Sequence, residues 1–180
     1  LLWQPDKPPA GHWRARILDV GQGLAVLVET QNHRLLYDSG PAYRAGDDSG
    51  NRVIVPTLNA LAIDTLDRLL LSHDDSDHTG GAASLQQQLT VHALQANRLT
   101  QPIPRPINRL PCIAGQHWQW DDVRFRVIQP ANFAATTSDN ASSCVLEIRD
   151  AQHGILLTGD LESAEEEQMV LNEVVAATDV

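Results

Sequence analysis

One short segment of the sequence concentrates the side chains that could carry out chemistry. Residues 72–81 read Ser-His-Asp-Asp-Ser-Asp-His-Thr-Gly-Gly, which places two histidines and three aspartates within six consecutive positions. Imidazole nitrogens and carboxylate oxygens are ligands that suit Zn²⁺, Mn²⁺ and Fe²⁺ in proteins. A solvated acidic turn with incidental histidines is the alternative interpretation. The density of donors directly after the apolar run 66–71 favours a metal site held on a strand tip.

Two further acidic residues end apolar runs in the same way. Asp38 follows His-Arg-Leu-Leu-Tyr, and Asp160 follows Leu-Leu-Thr-Gly. If these runs are neighbouring strands, their carboxyl ends bring both carboxylates to the histidine-rich segment, as happens at the ligand sites of open α/β sheets. The alternatives are a turn role for Asp38 and an N-cap role for Asp160 before the acidic helix that follows it. Spacing alone leaves these alternatives open.

The remaining patterns predict an α/β fold with two packed sheets and helices outside them. Thr79 is the predicted N-cap of the second helix. The segment 99–111, which holds four prolines, is predicted to be an extended surface connection. Residues 1–13 form a predicted linker or arm, and residues 14–180 form the domain. The predicted strands are 14–20, 24–30, 33–38, 66–71, 91–96, 118–120, 124–129, 144–149 and 154–157, and the predicted helices are 53–62, 81–89 and 162–175.

The composition describes one domain with an acidic surface. The chain has 180 residues and a formal net charge of −10, which suits a single core and disfavours loose, charge-driven binding to nucleic acid or anionic lipid. Bound cations would reverse the sign of that field locally. No apolar run is long enough to cross a bilayer and the start does not read as a signal peptide, so we expect a soluble chain without membrane insertion of its own. Cys112 and Cys144 are predicted to be two buried thiols, with a disulfide in an oxidising compartment as the alternative.

The metal-type segment resembles a known signature. The pattern His73-x-Asp75-x-Asp77-His78 is similar to the H-x-H-x-D-H motif of the metallo-β-lactamase superfamily, with an aspartate where the second histidine usually stands. Together with Asp-Val-Gly-Gln-Gly at 19–23, the runs that end at 38 and 160, and the stretch 139–146, it resembles the metallo-β-lactamase-like domain of the ComEC family of DNA-uptake proteins. The resemblance implies a four-layer αββα fold. It also implies truncation at the C-terminus, because the family's last His-rich strand tip is not reached by position 180.

The same resemblance implies a role for each candidate ligand. His73 and Asp75 would belong to one metal position, Asp77 and His78 to the other, and Asp160 would bridge both ions. Two divalent ions, Mn²⁺ or Zn²⁺, would occupy the complete domain. The aspartate at 75 is a harder ligand than histidine, which weakens the case for Zn²⁺ against Mn²⁺.

Other residues would support the centre rather than bind the ions. Asp38 is expected to orient the cluster from behind the ligands. Asp19 and Gly21 are expected to form a structural turn beside the site. Gly80 and Gly81 are expected to let the backbone turn sharply into the next helix.

The function implied by the resemblance is a metal-dependent phosphodiester hydrolase, with Asp77 and His78 in catalytic roles. It would act as a nuclease that degrades the non-transported DNA strand during natural transformation. Its partners would be single-stranded or duplex DNA and the transmembrane channel and OB-like domains of the same polypeptide. The domain would face the periplasm from an inner-membrane protein. A hydrolase of esters, lactones or thioesters and a degenerate, non-catalytic scaffold are the alternatives. By itself, the chain is expected to bind DNA weakly and to cleave it little.

Overall fold

The computed structural model describes residues 6–44, 46–100, 107–131 and 138–171. Residues 14–110 contribute a mixed sheet made of β1 (Arg14–Ile17), β2 (Val26–Glu29), β3 (Arg34–Tyr37), β5 (Arg68–Leu70), β7 (Ala93–Gln95) and β8 (Asn108–Leu110). These strands lie in the order β1-β2-β3-β5-β7-β8, in which the first three are antiparallel neighbours and the last four run parallel.

The second half contributes an antiparallel sheet. It consists of β9 (His117–Trp120), β10 (Val123–Gln129), β11 (Val145–Arg149) and β12 (Gly154–Leu157), in the order β12-β11-β10-β9. A small parallel pair of β4 (Thr65–Leu66) and β6 (Thr90–Val91) lies apart from both sheets. The helical segments are Gly50–Ile54 with π-helical bonding, α1 (Val55–Ala60), α2 (Ser76–Thr79), α3 (Ala82–Gln88), a 3₁₀ turn at Asn140–Ser142, and α4 (Ser163–Leu171).

Strand alternation divides the apolar side chains between two cores. On one face of the first sheet, Leu27 and Leu36 pack against the helical side chains of Ile54 and Leu85. The opposite face packs against the second sheet, where it meets the following residues: Val26, Val28, Leu35 and Tyr37 from the first sheet, and Phe125, Val127, Leu146 and Ile148 from the second. Burial of apolar surface on both faces of a sheet is what holds such layers together.

The helix α4 provides the fourth layer. Its residue Met169 is buried against Ile128 and Val145 on the outer face of the second sheet. The predicted αββα arrangement is therefore confirmed. The predicted helix 162–175 is described from Ser163 to Leu171, and its last positions lie outside the described residues. Within the described part of the chain, no helix is long and apolar enough to span a membrane.

Three local predictions were wrong. The predicted strand 66–71 is divided at Asp67, whose carboxylate accepts the Arg34 N–H at 2.8 Å. This bond lets β4 pair with β6 while β5 pairs with β3 and β7. Thr79 does not cap α3, because it belongs to α2 and its hydroxyl donates to the carbonyl of Asp75. The predicted strand 91–96 is divided at His92, between β6 and β7, whereas the predicted extended connection 99–111 ends in the edge strand β8.

The prediction of two free thiols was also wrong. Cys112 and Cys144 form a disulfide with their Cα atoms 5.9 Å apart. Cys112 follows an edge strand of the first sheet and Cys144 precedes the second strand of the other, so the bond ties the two sheets together. Both side chains are fully buried. The separation of 32 residues gives no sign of this contact, which depends on how the sheets stack.

Candidate metal centre

The candidate centre lies at one rim of the sandwich, where strands from both sheets end. Asp38 follows β3 directly, and Ser72 and His73 follow its parallel neighbour β5 after a single residue. Asp160 follows β12 of the second sheet. Because parallel strands end at the same edge, the first sheet delivers its polar residues to one place, and the stacking of the second sheet delivers Asp160 opposite them.

Asp38 fixes the orientation of His78. Its side chain is fully buried, and its Oδ2 lies 2.7 Å from Nδ1 of His78, while its Oδ1 accepts the backbone N–H of Ser72 at 2.7 Å. A carboxylate at Nδ1 holds the proton on that nitrogen and leaves the Nε2 lone pair for a metal ion. Burial would lower the pKa of His78, but the hydrogen bond and negative charge of Asp38, with the nearby Asp160 and Asp77, raise it above the ordinary value.

Ser72 links Asp38 to His73 and so fixes the orientation of the second ring. The Ser72 hydroxyl donates to Asp38 Oδ2 at 2.8 Å and lies 2.9 Å from Nδ1 of His73. Since its one proton is directed at Asp38, this oxygen is available to accept from Nδ1–H of His73. The Nε2 atom of His73 is buried and has no hydrogen-bond partner among the described residues. One buried carboxylate thus directs both imidazole rings, one of them through a serine.

The ligand atoms of His73, His78 and Asp160 converge. All three lie within 4.8 Å of one another, and Asp160 Oδ1 is 3.2 Å from His78 Nε2. The carboxylates of Asp75 and Asp77 lie at the edge of this cluster. Asp75 Oδ2 is 3.5 Å from His73 Nε2, and Asp77 Oδ2 is 4.0 Å from His78 Nε2. The two predicted ligands of each metal position, His73 with Asp75 and His78 with Asp77, are therefore neighbours in the structure.

This arrangement fits a divalent cation. The buried, partnerless Nε2 of His73 is a polar atom that costs free energy unless something coordinates it. Two imidazoles with surrounding carboxylates are a donor set for Zn²⁺ or Mn²⁺. The carboxylates of Asp75 and Asp160 are about half exposed, at 53% and 48% of their side-chain surface, so they can move to complete a coordination shell.

The glycines around the centre allow close packing of backbone segments. Gly80 and Gly81 lie between α2 and α3 and have right-handed backbone angles that do not themselves require glycine. A Cβ at Gly80 would strike the backbone of Pro41 and Ala42, and one at Gly81 would strike the Ser39 carbonyl. Both positions therefore need glycine because a neighbouring loop lies against them.

The turn before β2 contacts the centre through a glycine that was not among the predicted site residues. Asp19 accepts the N–H of Gly21 at 3.3 Å, and Gly21 has a φ of +79°, as a structural turn requires. The closer approach is made by Gly23, where a Cβ would strike the carbonyl of Asp77. The two glycines at positions 21 and 23 were the feature of the sequence that could have indicated this close contact.

Asp139, Cys144 and Ser72 also support the centre, and none of them was among the predicted site residues. Asp139 accepts the N–H of Asp74 at 2.7 Å, which anchors the ligand loop to the segment before β11. Cys144 donates its N–H to the carbonyl of Ser72 at 2.8 Å. The disulfide is therefore joined by one hydrogen bond to the serine that positions His73. A serine or aspartate beside a metal motif carries no distinctive signal in a single sequence.

An open cleft of about 570 Å³ adjoins the cluster. Its lining includes Asp77, His78 and Asp160 together with apolar side chains such as Ile17 and Ile155. Its volume lies within the usual range for small-molecule sites. The cleft gives a substrate direct access to the converging ligand atoms.

The sequence profile described as the metallo-beta-lactamase superfamily matches residues 18–178. The chain belongs to this superfamily. Solved structures of low sequence identity share its fold. A metallo-β-lactamase of Cronobacter sakazakii with a HARLDQ motif (mutant S60) is 19% identical, covers 83% of this chain and 62% of its own, and has a TM-score of 0.58. CmlA, a diiron β-hydroxylase from Streptomyces venezuelae, is 15% identical, covers 98% and 34%, and has a TM-score of 0.60.

Curated relatives include proteins with competence and recombination names. "Recombination protein 2" of Haemophilus influenzae is 37% identical over 170 residues, which are 93% of this chain and 20% of that protein. "Competence protein ComA" of Neisseria gonorrhoeae is 36% identical over 170 residues, 94% of this chain and 23% of that protein. The predicted resemblance to the metallo-β-lactamase-like domain of the ComEC family is confirmed. The chain spans about a fifth of the length of these relatives.

Proposed function

We propose that the chain is a metal-dependent hydrolase domain that cleaves phosphodiester bonds of DNA during DNA uptake, on the strand that is not transported. The observation that carries the proposal is the convergence within 4.8 Å of one ring nitrogen from each of His73 and His78 and a carboxylate oxygen of Asp160, with both rings oriented by one buried aspartate. The buried His73 Nε2 supports it, because this atom has no hydrogen-bond partner among the described residues and lies 3.5 Å from the Asp75 carboxylate.

We assign His73 and Asp75 to one metal position, Asp77 and His78 to a second, and Asp160 to a bridging role. Divalent ions held by these residues would supply Lewis acidity and would make a water molecule a better nucleophile near neutral pH. The exposed carboxylates at positions 75 and 160 favour Mn²⁺ over Zn²⁺, since oxygen donors suit the harder ion.

The chain's own residues would then manage protons and orientation. Asp77, whose side chain is one-third exposed and lines the cleft, would accept the proton of the attacking water. Asp38 keeps Nδ1–H of His78 in place so that the ring presents Nε2 throughout the reaction. No serine, cysteine or lysine is required as a nucleophile, and Ser72 is already engaged between Asp38 and His73.

Two observations support DNA uptake as the setting. The relatives with competence names provide the first. The disulfide between Cys112 and Cys144 provides the second, since such bonds persist in oxidising compartments, and we propose that the domain faces the periplasm. The DNA-binding surface, the transmembrane channel and the OB-like domains would come from the rest of a longer polypeptide, because the acidic charge of −10 opposes strong DNA binding by this chain alone.

A nuclease assay on the full-length protein that carries this domain tests the proposal. We expect Mn²⁺-dependent cleavage of DNA that Asp77→Asn reduces by about 100-fold or more. Asp122→Asn is the matched control, because Asp122 is an exposed aspartate outside the cluster. Hydrolysis confined to esters, lactones or thioesters would overturn the nuclease proposal. A purified protein that binds no metal would favour a non-catalytic scaffold.

A further inference from the structure

We propose that the cleft beside the metal centre binds an unpaired nucleotide, with its phosphate at the metal end and its base on an apolar shelf formed by Ile17, Ile155 and Leu157. This inference rests on the proposed function and names the substrate class more closely. It identifies Ile17 as a residue that determines specificity, and it makes single-stranded DNA the preferred substrate over duplex.

Ile17 is exposed in an unusual position. In the sheet register it is the outer member of the row Ile17, Val26, Tyr37 and Leu70. The other three are at most 1% exposed and belong to the core between the sheets, whereas Ile17 is 75% exposed. It therefore lies on the core-facing side of the first sheet, at an edge that the second sheet does not cover.

The second sheet also contributes apolar residues to the lining of the cleft. Ile155 and Leu157 lie on β12, the edge strand of the second sheet, and each is 7% exposed. Both line the same cleft as Ile17, and Asp160 lies three residues beyond Leu157. The open side of the sandwich thus joins an apolar surface to the metal ligands within a single cavity of about 570 Å³.

A nucleotide has groups that suit both the metal ligands and the apolar residues of the cleft. Its phosphate is anionic and suits metal ions, and the face of its base is apolar enough to gain from burial against aliphatic side chains. In a duplex, both faces of each base are covered by neighbours, whereas an unpaired base has a free face. An isolated exposed isoleucine is ordinary on a protein surface, but this one extends the wall of the site itself.

Binding to the zinc-loaded chain tests the inference without relying on catalysis. The two probes are thymidine 5′-monophosphate and 1,2-dideoxyribose 5-phosphate, which is the same sugar phosphate without its base. Calorimetry should show that the base-bearing probe binds about fivefold to tenfold more tightly. Methyl NMR should show a ring-current shift at Ile17 with this probe only.

Ile17→Thr should remove the advantage of the base and leave the affinity for the sugar phosphate unchanged. Ile17→Val should keep most of the advantage, because it retains an apolar branched side chain. The matched control is Ile113→Thr, since Ile113 is 46% exposed and does not line the cleft.

The outcomes separate the two proposals. Equal affinity for both probes, with no shift at Ile17, would overturn the shelf while leaving a phosphate-binding metal centre intact. The shelf would likewise be overturned if Ile17→Thr kept the full preference for the base-bearing probe. Failure of both probes to bind the zinc-loaded chain would overturn the proposed function and the shelf together.

Discussion

Strand β3 has a histidine–aspartate pair at each of its ends, and the two pairs do different things. Before the strand, His33 Nδ1 lies 3.1 Å from Oδ2 of Asp121. After it, Asp38 lies 2.7 Å from Nδ1 of His78. The residue types are the same and the contacts are similar in length, so the difference in role must come from the surroundings of each pair.

The Asp121 pair is closed. Its carboxylate also accepts hydrogen bonds from the Thr30 hydroxyl and from the backbone and side chain of Asn32, and the His33 ring stacks on Trp120 at 4.9 Å. Partial burial would raise the pKa of Asp121, but these hydrogen bonds outweigh it and hold the pKa well below its usual range. These hydrogen bonds hold the β2–β3 turn against the β9–β10 turn of the second sheet.

The Asp38 pair is open on one side. The carboxylate is saturated by His78 and Ser72, but the imidazole nitrogens beyond it face Asp160 and one another's ring. Here the aspartate orients side chains that could bind a metal ion, whereas Asp121 forms contacts that are complete within the protein. The Asp38–His78 pair therefore differs from the other pair in its surroundings, because His78 Nε2 lies 3.2 Å from Asp160 and the adjacent His73 ring has a buried Nε2 with no hydrogen-bond partner among the described residues.

The largest effect should come from Asp38→Asn. The amide cannot hold Nδ1–H of His78 and also accept from Ser72 as the carboxylate does, so both rings lose their fixed orientation. We expect the Zn²⁺ affinity, measured by chelator competition, to fall about 100-fold. Unchanged affinity would show that Asp38 does not orient the centre.

Asp121→Asn should act on stability alone. Loss of the charged acceptor should lower the free energy of unfolding by about 1–2 kcal/mol at pH 7, measured by urea denaturation. Because the folded-state pKa of Asp121 is lowered, its contribution is complete above the unfolded value of about 3.9 and is lost as the pH falls further. The stability difference from wild type should therefore shrink below about pH 4. A change in Zn²⁺ affinity would contradict the separation of the two pairs.

Ser72→Ala should show whether Asp38 orients His73 through Ser72, separately from its direct contact with His78. It removes the link between Asp38 and His73 but leaves the direct contact with His78. We expect the Zn²⁺ affinity to fall about tenfold. Ser76→Ala is the matched control, because Ser76 is an exposed serine of the same segment. Equal affinities for the two variants would remove Ser72 from the positioning role.

The smallest predicted effect is on the proton affinity of His78. In the metal-free protein, NMR titration should show a raised pKa for this ring. The protonated ring stabilises the fold below its unfolded pKa, and that contribution is lost as the pH rises through the folded value. Asp77→Asn should lower this pKa slightly, Asp38→Asn should lower it more, and Asp121→Asn should leave it unchanged. An unshifted titration in Asp38→Asn would contradict the assigned contact.

Much of the fold could be predicted because it depends on local patterns. Strand alternation and the apolar helix faces indicated two sheets with helices outside, and acidic residues at strand tips indicated the rim where the candidate ligands meet. The spacing of His73, Asp75, Asp77 and His78 was sufficient to predict a metal-type loop.

The missed features depend on contacts between distant segments. The division of 66–71 follows from a hydrogen bond between Asp67 and Arg34, and the disulfide follows from how the two sheets stack. The role of Ser72 is visible only when Asp38, 34 residues earlier, is seen beside it. The need for glycine at Gly80 comes from a loop that packs against it, which no local pattern reveals.

The most direct test of the metal centre is anomalous diffraction from crystals of this chain grown with Mn²⁺ or Zn²⁺. We predict one peak within about 2.0–2.2 Å of His73 Nε2 and a second within about the same distance of His78 Nε2, with an Asp160 oxygen bound to each ion. The assignment would be contradicted if the crystals bound metal elsewhere, or not at all, and His73 Nε2 remained without a ligand.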